Sequence, residues 1–334
     1  MVHICDWGRG RRGGSGRSRH AGVVGRVGFE KSGSGQTARK AGRLDIYTEY
    51  FGLTRRPFTL QPDPDFLFWS GQHKKAYAML EYGVMTNAPI TVITGEIGAG
   101  KTTLIRHLLR NLEDDITVGL ISNAHGDRGE LLQWVLMALG QHAPEDASYV
   151  SLFSRFQAHL IEEYNAGRRT ILIFDEAQNL AENTLEELRM FSNINADEDE
   201  LVQLILVGQP ELREKLASPR LVQFAQRVSS DFHLSPMSKL AVREYIDFRM
   251  LTSGATRNVF TEDAAAAIHE ATGGVPRLIN QLCDYALLYA FGEGVYRVDR
   301  PMIEQVVEDR NVNGSFAPLK SSGRAPRQRG RFRP

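Results

Sequence analysis

The sequence predicts an α/β protein: a mainly parallel five-stranded sheet covered by helices on both faces, followed by an all-helical subdomain. Three observations carry this. Near-continuous apolar runs alternate with helical patterns through the first two thirds of the chain, as buried parallel strands and their crossovers do. A glycine-rich loop lies between one such run and a helix. After Pro236 the strand signal stops and four helical patterns follow.

Order is expected from about Tyr47. "YFGLTRRPFTLQPDPDFLFWS" mixes aromatics with three prolines, an irregular segment that lays rings onto a domain. A helix is predicted over roughly Gln72–Met85, with Ala76 and Leu80 on one face. "APITVITG" is a short β-rich run that Gly95 ends. "ITVGLIS" (Ile116–Ser122), "TILIFD" (Thr170–Asp175) and "VQLILVG" (Val202–Gly208) read as further buried strands, and "SDFHLSP" as a shorter one. Helices are expected between them, around 129–139, 151–166 and 183–193. In the last third, Ser238, Thr261 and Asp299 are candidate N-caps, and glycines close the first three helices. The predicted division is an α/β domain over 44–236 and a helical subdomain over 237–312.

Composition narrows the function classes. The chain has 334 residues, 42% hydrophobic and 24% charged, which suits a globular core. Two cysteines, Cys5 and Cys283, are too few for a disulfide framework, and a reducing compartment is expected. No apolar run approaches the ~18 residues of a membrane span. No signal-peptide core is present, so the cytoplasm is expected, at the inner face of a membrane through partners. The formal charge of zero conceals an asymmetry. Residues 1–43 hold ten Lys/Arg and two Asp/Glu, and 313–334 hold six Lys/Arg and no acid, leaving the stretch between them at −14. Both ends read as disordered basic tails. Two readings of 1–43 stand side by side: an arm for nucleic acid or anionic surfaces, or an inert tail or residues upstream of the true start.

The loop carries the chemistry. Gly95, Glu96, Ile97, Gly98, Ala99, Gly100, Lys101 and Thr102, with Thr103 after them, fit G-x-x-x-x-G-K-[ST] between a strand and a helix. Glycines let backbone N–H groups curl around phosphates, and the following helix points its positive dipole end at the same charge. Lys101 is expected at the β- and γ-phosphates and the Thr102 hydroxyl on Mg²⁺. The run "ILIFDEAQ" then delivers Asp175 and Glu176 at the end of a buried strand, where ligands sit in open α/β sheets. Asp175 is expected to hold Mg²⁺ and Glu176 to act as general base on the attacking water. ATP is the expected nucleotide, since no N-K-x-D stretch is present to read guanine. The "DEAQ" box lacks the second α/β lobe and the further boxes of a helicase.

Gln209 follows the strand ending at Gly208. It is read either as a γ-phosphate contact or as a turn ahead of a helix starting at Pro210. Arg227 and Arg277 suit developing phosphoryl charge, or are surface ion-pair partners. Asn123 is a candidate partner that switches Glu176 between poses.

The segments "YTEYFGLTRRPFTLQPDPDFLFWS", "TGEIGAGKTTL", "LIFDEAQNL", "LEELRMFSN", "LILVGQPEL", "QRVSSDFHLSPMS" and "ATGGVPRLINQLCD" together resemble the bacterial AAA+ ATPases of the general secretion pathway protein A (ExeA) type, over about residues 46–310. The resemblance implies a P-loop AAA+ core with a helical lid. It implies a loop lysine (Lys101), an acidic pair (Asp175, Glu176), a first sensor (Gln209), an arginine finger (Arg227) and a second sensor arginine (Arg277). Homo-oligomers follow from it, with service to an envelope process such as secretion or polysaccharide export. Secretion-pathway members carry a membrane span and a peptidoglycan-binding domain after the ATPase, where this sequence runs into a basic tail. Shorter relatives are associated with exopolysaccharide export, pilus biogenesis or transposition. A DNA-associated helper ATPase is therefore the alternative, and nucleic acid is the less favoured partner.

Overall fold

The computed structural model describes residues 46–60, 66–122, 130–144, 146–196 and 199–313. The arm 1–43, residues 314–334 and Asn123 lie outside these.

In chain order the elements are α1 (Gly71–Met85), β1 (Ile90–Gly95), α2 (Lys101–Asn111), β2 (Ile116–Ser122), α3 (Glu130–Ala138), α4 (Tyr149–Asn165), β3 (Arg169–Asp175), α5 (Glu182–Phe191), β4 (Asn195–Ala196), β5 (Asp199–Glu200) and β6 (Val202–Gly208). They continue with α6 (Pro210–Leu216), α7 (Val222–Ala225), β7 (Val228–Leu234), α8 (Lys239–Thr252), α9 (Glu262–Thr272), α10 (Pro276–Gly292) and α11 (Arg300–Asn313). The chain groups into two compact units. One takes the described parts of 75–95 and 104–233; the other takes those of 40–74, 96–103 and 234–334.

The α/β unit is built on a five-stranded sheet in the order β2-β3-β6-β1-β7. The pairs β2–β3, β3–β6 and β6–β1 are parallel. Every residue of β1 and β6 is buried, which is why both read as mainly apolar runs, broken only by Thr91, Thr94 and Gln203, rather than as alternating ones. The register sets Thr94 beside Gly208, Phe174 beside Leu206 and Ser122 beside Asp175. The ends of β1, β2, β3 and β6 therefore share one edge of the sheet. One face is filled by Leu132, Val135, Phe156, Leu160, Leu188 and Phe191 from α3, α4 and α5, against Leu172, Phe174 and Leu204 of the sheet. The last turn of α1 has no basic residue of its own. Its carbonyls are met from the sheet instead: Gln203 Nε2 donates to Gly83 O at 2.7 Å and an Arg169 guanidinium N–H to Val84 O at 3.0 Å. The two-residue ladder β4–β5 has no counterpart in the sequence pattern, since two-residue strands with three polar residues among four carry no apolar signal.

The helical unit packs α8 to α11 around Val242, Ile246, Ile268, Ile279, Leu282, Leu287, Ile303 and Val306. Ser238 and Thr261 cap α8 and α9 through their hydroxyls, and Asp299 accepts from the Met302 N–H. Four consecutive buried alanines, Ala264 to Ala267, let α9 lie close to its neighbours. The aromatic segment, which the sequence reading groups with the α/β domain, has its rings here: Tyr47, Phe51 and Phe58 belong to the helical core, with Leu53 beside them. Sequence proximity misleads because the partners come from the far end of the chain. Tyr47 donates its O–H to Asp284, which also pairs with Arg56 at 2.5 Å. Burial, with Asp284 beside it, pushes the Tyr47 hydroxyl well above the usual tyrosine range. Arg249 is buried and donates to Pro57 O at 2.6 Å and Thr59 O at 3.3 Å, its guanidinium 4.2 Å from the Phe66 ring centre.

The turn after α9 is the tightest point of this unit. Gly273 ends the helix in the left-handed conformation, and Gly274 follows at φ +78. Met237 N donates to Gly274 O at 2.9 Å, and a Cβ on Gly274 would stand 2.0 Å from Met237 O.

Candidate nucleotide site

The glycine loop belongs to the helical unit from Glu96 to Thr103. Gly98 and Gly100 hold φ +80 and +103, backbone that other residues rarely adopt. Ala99 N donates to Glu96 O and Thr103 N to Gly100 O, each at 3.1 Å, so the loop curls on itself. Lys101 is only 7% exposed and its ammonium donates to Glu96 O at 3.0 Å. The loop thus folds around its own lysine.

Two residues outside the motif hold this curl. Arg277, at the start of α10, donates its backbone N–H to Gly98 O at 3.3 Å. A Cβ on Gly98 would come 2.4 Å from Arg277 Cβ, so that glycine is required by space as well as by φ. The Arg277 side chain is exposed. His73 of α1 is buried, with Nε2 3.0 Å from Ala99 O and Nδ1 2.7 Å from Ser70 Oγ. A carbonyl only accepts, so Nε2 carries the proton and Nδ1 takes the Ser70 hydroxyl. A Cβ on Gly100 would sit 2.8 Å from that same Nε2. The sequence reading passes over His73, because a single histidine in the first turn of a helix carries no pattern.

Burial holds His73 below the ordinary histidine range. The unfolded chain protonates His73 near pH ~6.5, whereas the folded chain does so lower. Below about pH 6.5 the unfolded state gains the proton first, and stability falls. His73→Ala is therefore expected to flatten the dependence of Tm on pH between about 7 and 5. It is also expected to weaken nucleotide binding about tenfold, as loss of a buried hydrogen bond to the loop would. A thermal melt series and a nucleotide titration check both.

In the α/β unit, β3 delivers Asp175 and Glu176 to the edge of the sheet. Asp175 Oδ1 accepts the Glu176 N–H at 3.0 Å. Glu176 itself is left-handed at φ 58, ψ 37, a conformation that costs a non-glycine residue about 1 kcal/mol. Its Oε2 accepts two amide donors, Gln178 Nε2 at 2.6 Å and Gln209 Nε2 at 3.1 Å. Gln209, left open between two readings in the sequence, is both the residue before α6 and a neighbour of Glu176. Gln178 is a further residue that sequence reasoning does not single out. Arg227, just before β7, donates to Ser192 O at 2.9 Å.

The glycine loop has the chemistry of a phosphate cradle, since Gly98 and Gly100 at positive φ let its backbone N–H groups turn toward an anion. Among the described residues no cluster of three His, Cys, Asp or Glu side chains could cage a metal unaided. No helix among the described residues is long and apolar enough to cross a membrane.

A parallel five-stranded sheet, a glycine loop between β1 and α2 and an acidic pair at the sheet edge define a P-loop protein of the AAA+ class. Residues 84–216 match the family model described as AAA domain. The chain is 38% identical over 253 residues to general secretion pathway protein A of Aeromonas hydrophila, covering 76% of this chain and 46% of that protein. It belongs to the AAA+ ATPases related to that protein. It spans less than half the length of the curated relatives it matches. Among solved structures, Cdc6p from Pyrobaculum aerophilum matches with a TM-score of 0.60 at 17% identity, covering 76% of this chain and 70% of that one. The ORC2 protein of Aeropyrum pernix matches at 0.55 and 17%, covering 77% and 72%. At that identity they show the fold alone.

Proposed function

We propose that this chain binds ATP with Mg²⁺, hydrolyses it, and couples nucleotide state to the assembly or gating of an envelope process. The observation that carries the reading is the Glu176 carboxylate held by two amide donors at the edge of a sheet whose β1 leads into the phosphate loop. A passive nucleotide sensor has no use for a carboxylate held in that way.

The roles follow from chemistry. Backbone N–H groups from Gly95 to Thr103 cradle the phosphates, and the Lys101 ammonium binds their charge. Thr102 and Asp175 would hold Mg²⁺, which neutralises phosphate charge when bound. Glu176 takes the proton of the attacking water. Gln209, beside Glu176, orients that water. Arg277 opens the helix whose backbone touches Gly98, so a change at the γ-phosphate is felt by α10. Arg227 acts on the phosphate of a neighbouring copy, which makes the working form a homo-oligomer. In this reading the α/β unit and the phosphate loop supply the ATPase domain, and 237–312, with the aromatic segment packed among its helices, supplies the lid. Kinship with general secretion pathway protein A supports the envelope role, with secretion or polysaccharide export as the process. Work at the cytoplasmic face of the inner membrane, reached through partners, follows from that role.

The test is ATP turnover over a range of protein concentrations, with and without Mg²⁺. A Mg²⁺-dependent rate rising more steeply than concentration is expected, with Lys101→Ala lowering nucleotide affinity by about 100-fold. Tight ATP binding with no turnover at any concentration would overturn the hydrolase reading.

A further inference from the structure

We propose that Gln178 is the positioning residue for Glu176, acting through both ends of its side-chain amide. The inference rests on the reading of Glu176 as the general base.

Gln178 Nε2 donates to Glu176 Oε2 at 2.6 Å, and Gln178 Oε1 accepts the backbone N–H of Gln209 at 3.0 Å. Only one amide orientation serves both partners. Flipped, the amide would set oxygen against carboxylate and N–H against N–H. The backbone beneath it is fixed as well. The Lys215 ammonium donates to Gln178 O and to Leu180 O, each at 2.6 Å, pinning the turn Ala177–Asn179 to α6. Space for the amide comes from Gly208, where a Cβ would lie 3.1 Å from Gln178 Oε1 and 2.7 Å from a Leu212 methyl.

The linkage has direction. Gln209 lies between β6 and α6, and its own side chain reaches the same Glu176 oxygen at 3.1 Å. The end of β6 thus holds the carboxylate twice, once directly and once through Gln178. A shift of that strand end moves the base. The strained left-handed turn at Glu176 needs such bonds to persist.

Two variants separate this from a merely structural role. Gln178→Met keeps the length of the side chain and loses donor and acceptor. Gln178→Glu keeps an acceptor for Gln209 N and loses the donor while ionised. Both are expected to lower kcat about 10- to 100-fold at pH ~8, the range of one charge-assisted hydrogen bond. The KM for ATP should stay within about twofold, with melting close to the parent. Gln178→Glu should recover toward the parent rate as pH falls to about 6. Two carboxyls sharing a site retain one proton, and that O–H donates where the amide did. In a Glu176→Gln background neither change should slow turnover further.

A parental kcat in Gln178→Met, with Glu176→Gln inactive, overturns the inference and leaves the base in place. Loss of kcat and ATP affinity together, with lowered melting and no recovery at low pH in Gln178→Glu, also overturns it. A parental rate in Glu176→Gln itself removes the base assignment, and the inference with it.

Discussion

Replacing Glu176 by glutamine is expected to leave ATP binding intact and to cut turnover by about 10²- to 10⁴-fold, the contribution of a positioned general base. The geometry explains why binding survives. Glutamine has the shape of glutamate, and its amide oxygen can take the bonds that Gln178 and Gln209 now give to Oε2. What the variant lacks is proton affinity. A fluorescent ATP analogue measures the first property and single-turnover hydrolysis the second. Turnover within about threefold of the parent would show that the proton leaves by another route.

Gly274→Ala is expected to cost the helical unit about 4 kcal/mol or more, among the largest effects of a single methyl group. The backbone stands at φ +78, which alone costs a residue with a Cβ about 1 kcal/mol. The new methyl would also meet Met237 O at 2.0 Å, and that carbonyl is main chain, so no rotamer relieves the clash. Relief requires the turn to move, which breaks the 2.9 Å bond from Met237 N to Gly274 O. Gly294 is the control. Its φ of +68 is equally left-handed, but nothing lies within 4 Å of a built Cβ. Gly294→Ala should cost only about 1 kcal/mol. Denaturant midpoints of the two variants check the difference, and equal losses would place the whole effect in φ.

What the sequence makes legible is what neighbours in sequence decide. Buried strands such as Val202–Gly208 announce themselves because both faces are covered and every position but Gln203 is apolar. The glycine loop is visible because φ +80 and +103 demand glycine wherever they occur. Asp175 and Glu176 stand out as charge at the end of an apolar run. The remainder depends on partners that no local pattern encodes. His73 acquires its importance from Ala99, 26 residues on, and Gln178 from Gln209, 31 residues on. Gln209 could not be decided from its neighbours, because being ahead of a helix and touching Glu176 are compatible. Chain order also groups Tyr47–Phe58 with the strands that follow, whereas burial places those rings among α8 to α11.

That last arrangement bears on how the protein is made. Tyr47 and its partner Asp284 are 237 residues apart, and Pro57 and Arg249 are 192 apart. At a synthesis rate of roughly 5–20 residues per second, the interval between partners leaving the ribosome is on the order of 10–50 s. Through that interval Tyr47, Phe51, Leu53 and Phe58 have emerged with no core to enter. They form a nascent apolar stretch of the kind that chaperones hold, and the helical unit closes late in translation.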